Sequence, residues 1–168
     1  GALDAALATS LRTHVIDQLE RACASGAEDE RGDEQSAFSA VLSPFGGGGA
    51  GDQPYRRWDL RLRLNPVVRD ALRALMGGRV GAALEACAGR DAELYELAAL
   101  VVAPGAAPQP LHADTLWAPS GCLYTAFVAL QPVTRPLGPT RFLLGSHVEE
   151  ATQAAFEAGK GDGSFLEK

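Results

Sequence analysis

Short apolar runs separated by proline and glycine make up the second half of this chain, and they constrain its fold more than any other feature. The runs lie at residues 94–103, 123–130 and 140–144. Runs of this length with turn residues between them are typical of strands in an antiparallel sandwich or barrel. We therefore predict three buried strands after residue 91.

The first half of the chain has helical patterns instead. Residues 3–23 carry leucine, valine and isoleucine at spacings of three and four, which predicts an amphipathic helix. A second helix is predicted over 66–76, because Asn65 supplies an N-cap and a proline follows it in the first turn. A third is predicted over 80–88, where Gly89 ends it.

Two strands are predicted among these helices. Residues 37–42 form a short apolar run before a proline, which is typical of an edge strand. Residues 58–64 alternate between apolar and charged side chains, so one face of that strand is expected to be buried and the other solvated. The expected solvated face carries four arginines: Arg56, Arg57, Arg61 and Arg63. Helices followed by short strands predict an α+β protein.

Composition limits the class of protein and its partners. The 168 residues suffice for one domain, and 46% hydrophobic with 21% charged residues is typical of a globular chain. A net charge of −6 argues against a nucleic-acid partner, and no apolar run is long enough to span a membrane. The three cysteines are widely spaced, which favours reduced thiols in an intracellular, cytoplasmic location over a zinc site.

The tripeptide His112-Ala113-Asp114 is the candidate metal site. On an extended strand, side chains two apart point to the same face, so this imidazole and this carboxylate can reach one cation. They match two ligands of the 2-His-1-carboxylate triad that holds Fe(II) in oxygenases. By itself the tripeptide is expected by chance in roughly one of six such chains.

Several segments around this tripeptide follow one another in a specific order. Leu-Tyr-Glu-Leu-Ala-Ala-Leu-Val at 94–101 precedes Gln-Pro-Leu-His-Ala-Asp-Thr at 109–115. Leu-Tyr-Thr-Ala-Phe-Val-Ala-Leu-Gln at 123–131 comes next, and Gly-Pro-Thr-Arg-Phe-Leu-Leu-Gly-Ser-His at 138–147 closes the series. This order resembles the phytanoyl-CoA dioxygenase-like family of Fe(II)/2-oxoglutarate-dependent oxygenases, over roughly residues 55–150.

The resemblance implies a fold, two cofactors and a set of site residues. The fold would be N-terminal helices packed on a double-stranded β-helix, or jelly roll. Fe(II) would be held by His112 and Asp114, and 2-oxoglutarate would lie near Tyr124 and Thr140. The implied activity is hydroxylation of a small-molecule or acyl substrate, with no nucleic acid and no membrane involved.

The chain departs from the family pattern mainly in the residues after Asp114. The family's distal histidine ligand and the arginine that binds 2-oxoglutarate normally lie beyond the Gly-Ser-His turn, and His147 is the only later histidine here. With the extended segment that carries His112 and Asp114 added to the three buried strands, about four strands are predicted after residue 91, whereas a jelly roll has eight. We therefore expect a jelly roll that is incomplete at the C-terminus.

One domain over 1–168 is predicted from these patterns. Residues 1–90 would be mostly helical with one or two strands, 91–147 would form the first half of the β-helix core, and 148–168 would be a helix and tail. The alternatives to an enzyme are a non-catalytic jelly-roll metal- or ligand-binding module and an inactive fragment. A third interpretation is that His112 simply hydrogen-bonds to Asp114 or to the backbone. His14, on the polar side of the first helix, is expected to be solvated.

Overall fold

The computed structural model describes residues 1–24, 40–42, 57–106, 123–146 and 154 of the chain. These residues form three helices and a three-stranded antiparallel sheet, so the fold is mixed helix and sheet. The elements in chain order are α1 (Ala5–Ala24), β1 (Ala40–Leu42), β2 (Arg57–Arg61), α2 (Pro66–Met76), α3 (Arg79–Ala88) and β3 (Ala98–Val102), followed by a 3₁₀ turn at Arg135–Leu137. The predicted class, α+β, agrees with this arrangement.

The sheet has the order β1-β2-β3, with both pairs antiparallel. Asp59 of β2 is opposite Val41 of β1 and Leu100 of β3, so β2 is the central strand. β1 is an edge strand of this sheet, as the proline after residues 37–42 predicts.

The α2 helix begins as its sequence predicts. Asn65 has an extended backbone, and its side-chain Oδ1 accepts a hydrogen bond from the Val68 N–H at 3.0 Å. Pro66 occupies the first turn, where no intrahelical N–H is needed. At the end of α3, Gly89 has a φ of 87° and its N–H bonds to the carbonyl of Glu85. Glycine adopts this conformation without the steric cost of a Cβ atom.

The hydrophobic core lies where α1, α2 and β2 meet. Its buried members are Leu11 and Val15 of α1, Leu60 of β2, and Val68 and Ala71 of α2. Partly buried apolar side chains from β2, β3 and the segment at 123–130 pack against this cluster. One face of the sheet is therefore turned toward α1 and α2.

Two predicted strands are not strands in the structure. Residues 123–130 and 140–144 have no ladder partner among the described residues. A strand exists only where a neighbouring strand takes up its backbone N–H and C=O groups. The described residues therefore show no jelly roll, and that finer prediction is not demonstrated. The predicted helix and tail at 148–168 lie outside the described residues, apart from Ala154, which is helical.

The alternating strand also differs from its prediction in two ways. It ends at Arg61, although the Leu62 N–H still donates to the carbonyl of Leu97 at 2.9 Å. Arg57 is only 9% exposed, whereas Arg61 and Arg63 are exposed as predicted. Arg56 lies outside the described residues. No helix in the described ranges is long and apolar enough to cross a membrane.

Candidate functional site

The two predicted iron ligands, His112 and Asp114, lie outside the described residues. The described chain stops at Ala106 and resumes at Leu123, so the structure shows the two segments that bracket the motif. Tyr124 and Thr140, the predicted 2-oxoglutarate residues, are described. Tyr124 is 45% exposed and Thr140 is also exposed.

The strand β3 precedes the motif in the sequence. Pairing with β2 fixes β3 over five residues, and the chain turns immediately after it at Pro104 and Gly105. The Ala106 N–H donates to the carbonyl of Ala103 at 3.2 Å, and Gly105 has a φ of 80°, where glycine is favoured. The end of β3 is thus followed by a tight turn at 103–106.

The segment that follows the motif is tied to the helical layer. Leu130 packs against the core cluster, and the next residue, Gln131, accepts a hydrogen bond from Arg12 Nε of α1 at 2.9 Å. In the sequence, the motif therefore comes after a strand of the sheet and before a segment that contacts α1.

An aromatic contact brings together the stretches that carry Tyr124 and Thr140. The rings of Phe127 and Phe142 have centroids 6.4 Å apart at an interplanar angle of 57°, a tilted arrangement that aromatic pairs favour. Tyr124 is three residues before Phe127, and Thr140 is two residues before Phe142. The two stretches are therefore in contact at Phe127 and Phe142.

The sheet has a second face, which we call the outer face, turned away from α1 and α2. Residues paired across an antiparallel ladder share a face. The outer face therefore carries Asp59 with Leu100 opposite it, flanked by the pairs Arg57–Val102 and Arg61–Ala98. Leu100 is 51% exposed and Val102 is 43% exposed. This surface combines apolar side chains with charges of both signs, next to the turn that leads to the motif.

Asp59 is the electrostatically perturbed residue of this face. Burial raises the pKa of its half-buried carboxyl group, the negative charge of Glu96 raises that pKa further, and the positive charge of Arg61 lowers it. Perturbed acids of this kind are enriched at functional sites, although structural networks of charges produce them too. Asp59 is thus a candidate site residue that the sequence reasoning did not select.

We expect Asp59→Asn to stabilise the protein at neutral pH. Because the folded state raises the pKa of this acid, ionised Asp59 destabilises the fold, and the penalty appears as the pH rises through the raised pKa. Partial exposure limits the gain to about 1 kcal/mol or less. Urea denaturation at pH 7 and pH 4 measures it, and the difference between variant and wild type should shrink at pH 4.

Asp70→Asn is the matched control for this prediction. Asp70 is exposed on α2, with its Oδ1 3.6 Å from Nη1 of Arg73. Losing such a surface pair changes the free energy of unfolding by about 0.5 kcal/mol or less. A stabilisation by Asp70→Asn equal to that by Asp59→Asn, or a loss of stability in Asp59→Asn at pH 7, would contradict the assignment of burial as the cause.

The donor chemistry of the chain fits two of the three positions of an iron triad. His112 and Asp114 supply one imidazole and one carboxylate. Among the described residues there is no group of three or more His, Cys, Asp or Glu side chains that could hold a metal ion.

His14 is less exposed than predicted, since it was expected to be solvated. It is half-buried, and its Nε2 lies 2.7 Å from the side-chain nitrogen of Asn65. The helical pattern around His14 shows only its position relative to the apolar stripe of α1. Its partner is 51 residues away in sequence, so no local signal could have identified the contact.

Comparison with protein-family models, with curated proteins and with solved structures finds no significant match to this chain. The phytanoyl-CoA dioxygenase-like resemblance therefore depends on the order and spacing of the motifs at 94–147. The geometry adds the positions of the segments on either side of His112 and Asp114.

Proposed function

We propose that this chain carries the metal-binding motif of an Fe(II)/2-oxoglutarate-dependent dioxygenase of the phytanoyl-CoA dioxygenase-like type. The observation that carries the proposal is the ordered set of segments at 94–101, 109–115, 123–131 and 138–147. In support, β3 and the turn after it precede the motif in the sequence, and the Phe127–Phe142 contact joins the two stretches that follow the motif.

His112 and Asp114 are the proposed metal ligands, and Tyr124 and Thr140 are proposed to face 2-oxoglutarate. When bound, Fe(II) and 2-oxoglutarate supply the oxidation of an unactivated C–H bond to an alcohol. The chain's own contribution is to hold one imidazole and one carboxylate on the same side of the cation, which leaves the other positions open. The Tyr124 and Thr140 hydroxyl groups are suited to donate hydrogen bonds to a carboxylate.

The proposed substrate is a small molecule or an acyl group. The outer face supports this class, because Leu100 and Val102 offer apolar surface and Asp59 with Arg61 offers polar partners. A net charge of −6 disfavours nucleic acid. An intracellular, cytoplasmic location is part of the proposal, supported by the free thiols of Cys23 and Cys87.

Titration with Mn(II), a redox-stable substitute for Fe(II), tests the metal site directly. We expect one bound ion, and we expect His112→Ala or Asp114→Ala to weaken binding at least tenfold, because each removes one of two strong donors, about 1.4 kcal/mol or more. Isothermal titration calorimetry and the loss of the free Mn(II) electron paramagnetic resonance signal both report this affinity.

His147→Ala is the matched control for the titration. If His147 lies outside the site, this variant binds Mn(II) as tightly as wild type, and an equal loss would instead make it the third ligand. Unchanged binding in His112→Ala would contradict the proposed metal site and favour the interpretation that His112 is only hydrogen-bonded.

A non-catalytic metal- or ligand-binding module is the second candidate. It is favoured by the fact that His147 is the only histidine after Asp114 in the 168 residues. We expect these 168 residues to bind Mn(II) without forming succinate from 2-oxoglutarate. Succinate formation coupled to O₂ uptake, lost in His112→Ala, would overturn this expectation and show that the chain itself is a dioxygenase.

A further inference from the structure

A hydrogen bond between side chains joins α1 to the start of α2. The Nδ2 atom of Asn65 lies 2.7 Å from Nε2 of His14, and the contact is partly buried. Asn65 is also the N-cap of α2. One side chain therefore serves both the helix terminus and the contact between the two helices.

The direction of this hydrogen bond follows from the second contact of Asn65. Its Oδ1 accepts from the Val68 N–H, so the amide oxygen must face the helix and the NH₂ group must face His14. The NH₂ group can only donate. His14 Nε2 must then be the acceptor, which requires a neutral imidazole with its proton on Nδ1.

We propose that His14 and Asn65 form a pH-sensitive clamp between α1 and α2, closed when the imidazole is neutral and opened when it is protonated. A protonated Nε2 would place an N–H against the NH₂ group of Asn65, so the hydrogen bond would be lost and two donors would face each other. This clamp is independent of the proposed metal site.

The position of Asn65 at the start of α2 determines what opening of the clamp disturbs. The N–H that Asn65 caps belongs to Val68, which is 2% exposed in the hydrophobic core. Displacing Asn65 would thus disturb the first turn of α2 at a residue that packs against α1 and β2.

The charged residues nearest to His14 and Asn65 in the sequence lie on α1, just before the cap of α2, and in the first turns of α2. Asp17 lies one turn along α1 from His14, Arg63 precedes the cap, and Arg69 and Asp70 follow it in α2. The Arg69 guanidinium donates to the carbonyl of Leu64, at 3.2 Å. Of these side-chain types, imidazole is the one whose unperturbed pKa lies between about pH 5.5 and 8.

Urea denaturation of the whole chain between pH 8 and pH 5.5 tests the clamp. His14→Gln replaces the imidazole with an amide whose oxygen accepts a hydrogen bond but does not titrate. Over this range we expect the unfolding equilibrium constant of wild type to rise about fivefold more than that of His14→Gln, the effect of losing one hydrogen bond. An equal pH dependence in the two proteins would overturn the proposal.

Asn65→Asp gives a second test, in which the pH dependence of stability is expected to change direction. Aspartate caps a helix as well as asparagine does, but its carboxylate can accept a hydrogen bond from protonated His14. Acidification from pH 8 to pH 5.5 should then lower the unfolding constant of Asn65→Asp relative to an Asn65→Asp/His14→Gln double variant. If acidification raises the unfolding constant of Asn65→Asp relative to the double variant, as it is expected to do for wild type relative to His14→Gln, the proposed clamp is contradicted.

Nuclear magnetic resonance supplies a readout that does not depend on stability. The side-chain NH₂ protons of Asn65 should shift with the same midpoint as the His14 ring protons, and this shift should be absent in His14→Gln. Independent titration of the two groups would overturn the proposed hydrogen bond.

Discussion

Replacing Leu60 with alanine is expected to lower the free energy of unfolding by about 3 kcal/mol. Leu60 is 1% exposed and lies in the central strand of the sheet, where it joins the core cluster of α1 and α2. The substitution removes buried apolar surface and leaves a cavity among side chains that can relax only partly. A domain of this size has about 5–15 kcal/mol of stability, so the loss is a large fraction of the total.

Leu100→Ala is the matched control for the Leu60 prediction. Leu100 belongs to the neighbouring strand but lies on the outer face and is 51% exposed. The same change there should cost about 1 kcal/mol or less, because much less surface leaves the water. Urea denaturation measures both values, provided that the dependence of the unfolding free energy on urea concentration is the same in the variants and wild type. Equal losses in the two variants would contradict the assignment of the core to the α1–α2 side of the sheet.

The helices were predictable because their signals are local. Asn65 and Pro66 mark the start of α2 within two residues, and Gly89 marks the end of α3 at a positive φ. These residues act on backbone groups within one helical turn, so the sequence around them is sufficient. The apolar spacing of α1 likewise identified the face that carries Leu11 and Val15.

The predicted strand at 123–130 was wrong because a strand needs a pairing partner that lies far away in the sequence. Residues 123–130 are apolar enough for a buried strand, yet Phe127 is 57% exposed and Leu123 is 50% exposed. Hydrophobicity favours burial but does not specify which strand supplies the hydrogen-bonding partner. The strand at 98–102 differs because β2 pairs with it along its whole length.

The candidate site shows the same division between local and distant information. The His-x-Asp spacing and the order of motifs around it are readable from the chain. The raised pKa of Asp59 is not, because it arises from burial and from the charge of Glu96, 37 positions later in the sequence. The half-burial of His14 likewise depends on a partner in another part of the chain.

Gly81→Ala is expected to destabilise the protein although it places alanine in a helix. Gly81 is buried in α3, and a Cβ atom there would come within 2.6 Å of the carbonyl carbon and 2.7 Å of the Cα of Met76, the last residue of α2. Helix propensity alone predicts a gain of about 1 kcal/mol. Backbone atoms cannot rotate away as a side chain can, so we expect a net loss of about 3 kcal/mol, at the upper end for overpacking.

The sign of the Gly81 effect distinguishes close packing from propensity. Ala82→Gly, at an exposed position of the same helix, makes the reverse change and should cost about 1 kcal/mol, which gives the propensity contribution directly. Thermal and urea denaturation of both variants against wild type measure the two effects. A more stable Gly81→Ala would mean that α3 can move away from Met76. Helix propensity predicts that adding a Cβ atom at Gly81 stabilises α3 and that removing one at Ala82 destabilises it. If Gly81→Ala instead lowers the free energy of unfolding by more than Ala82→Gly does, propensity cannot be the cause. The close approach of α3 to Met76 then accounts for the loss.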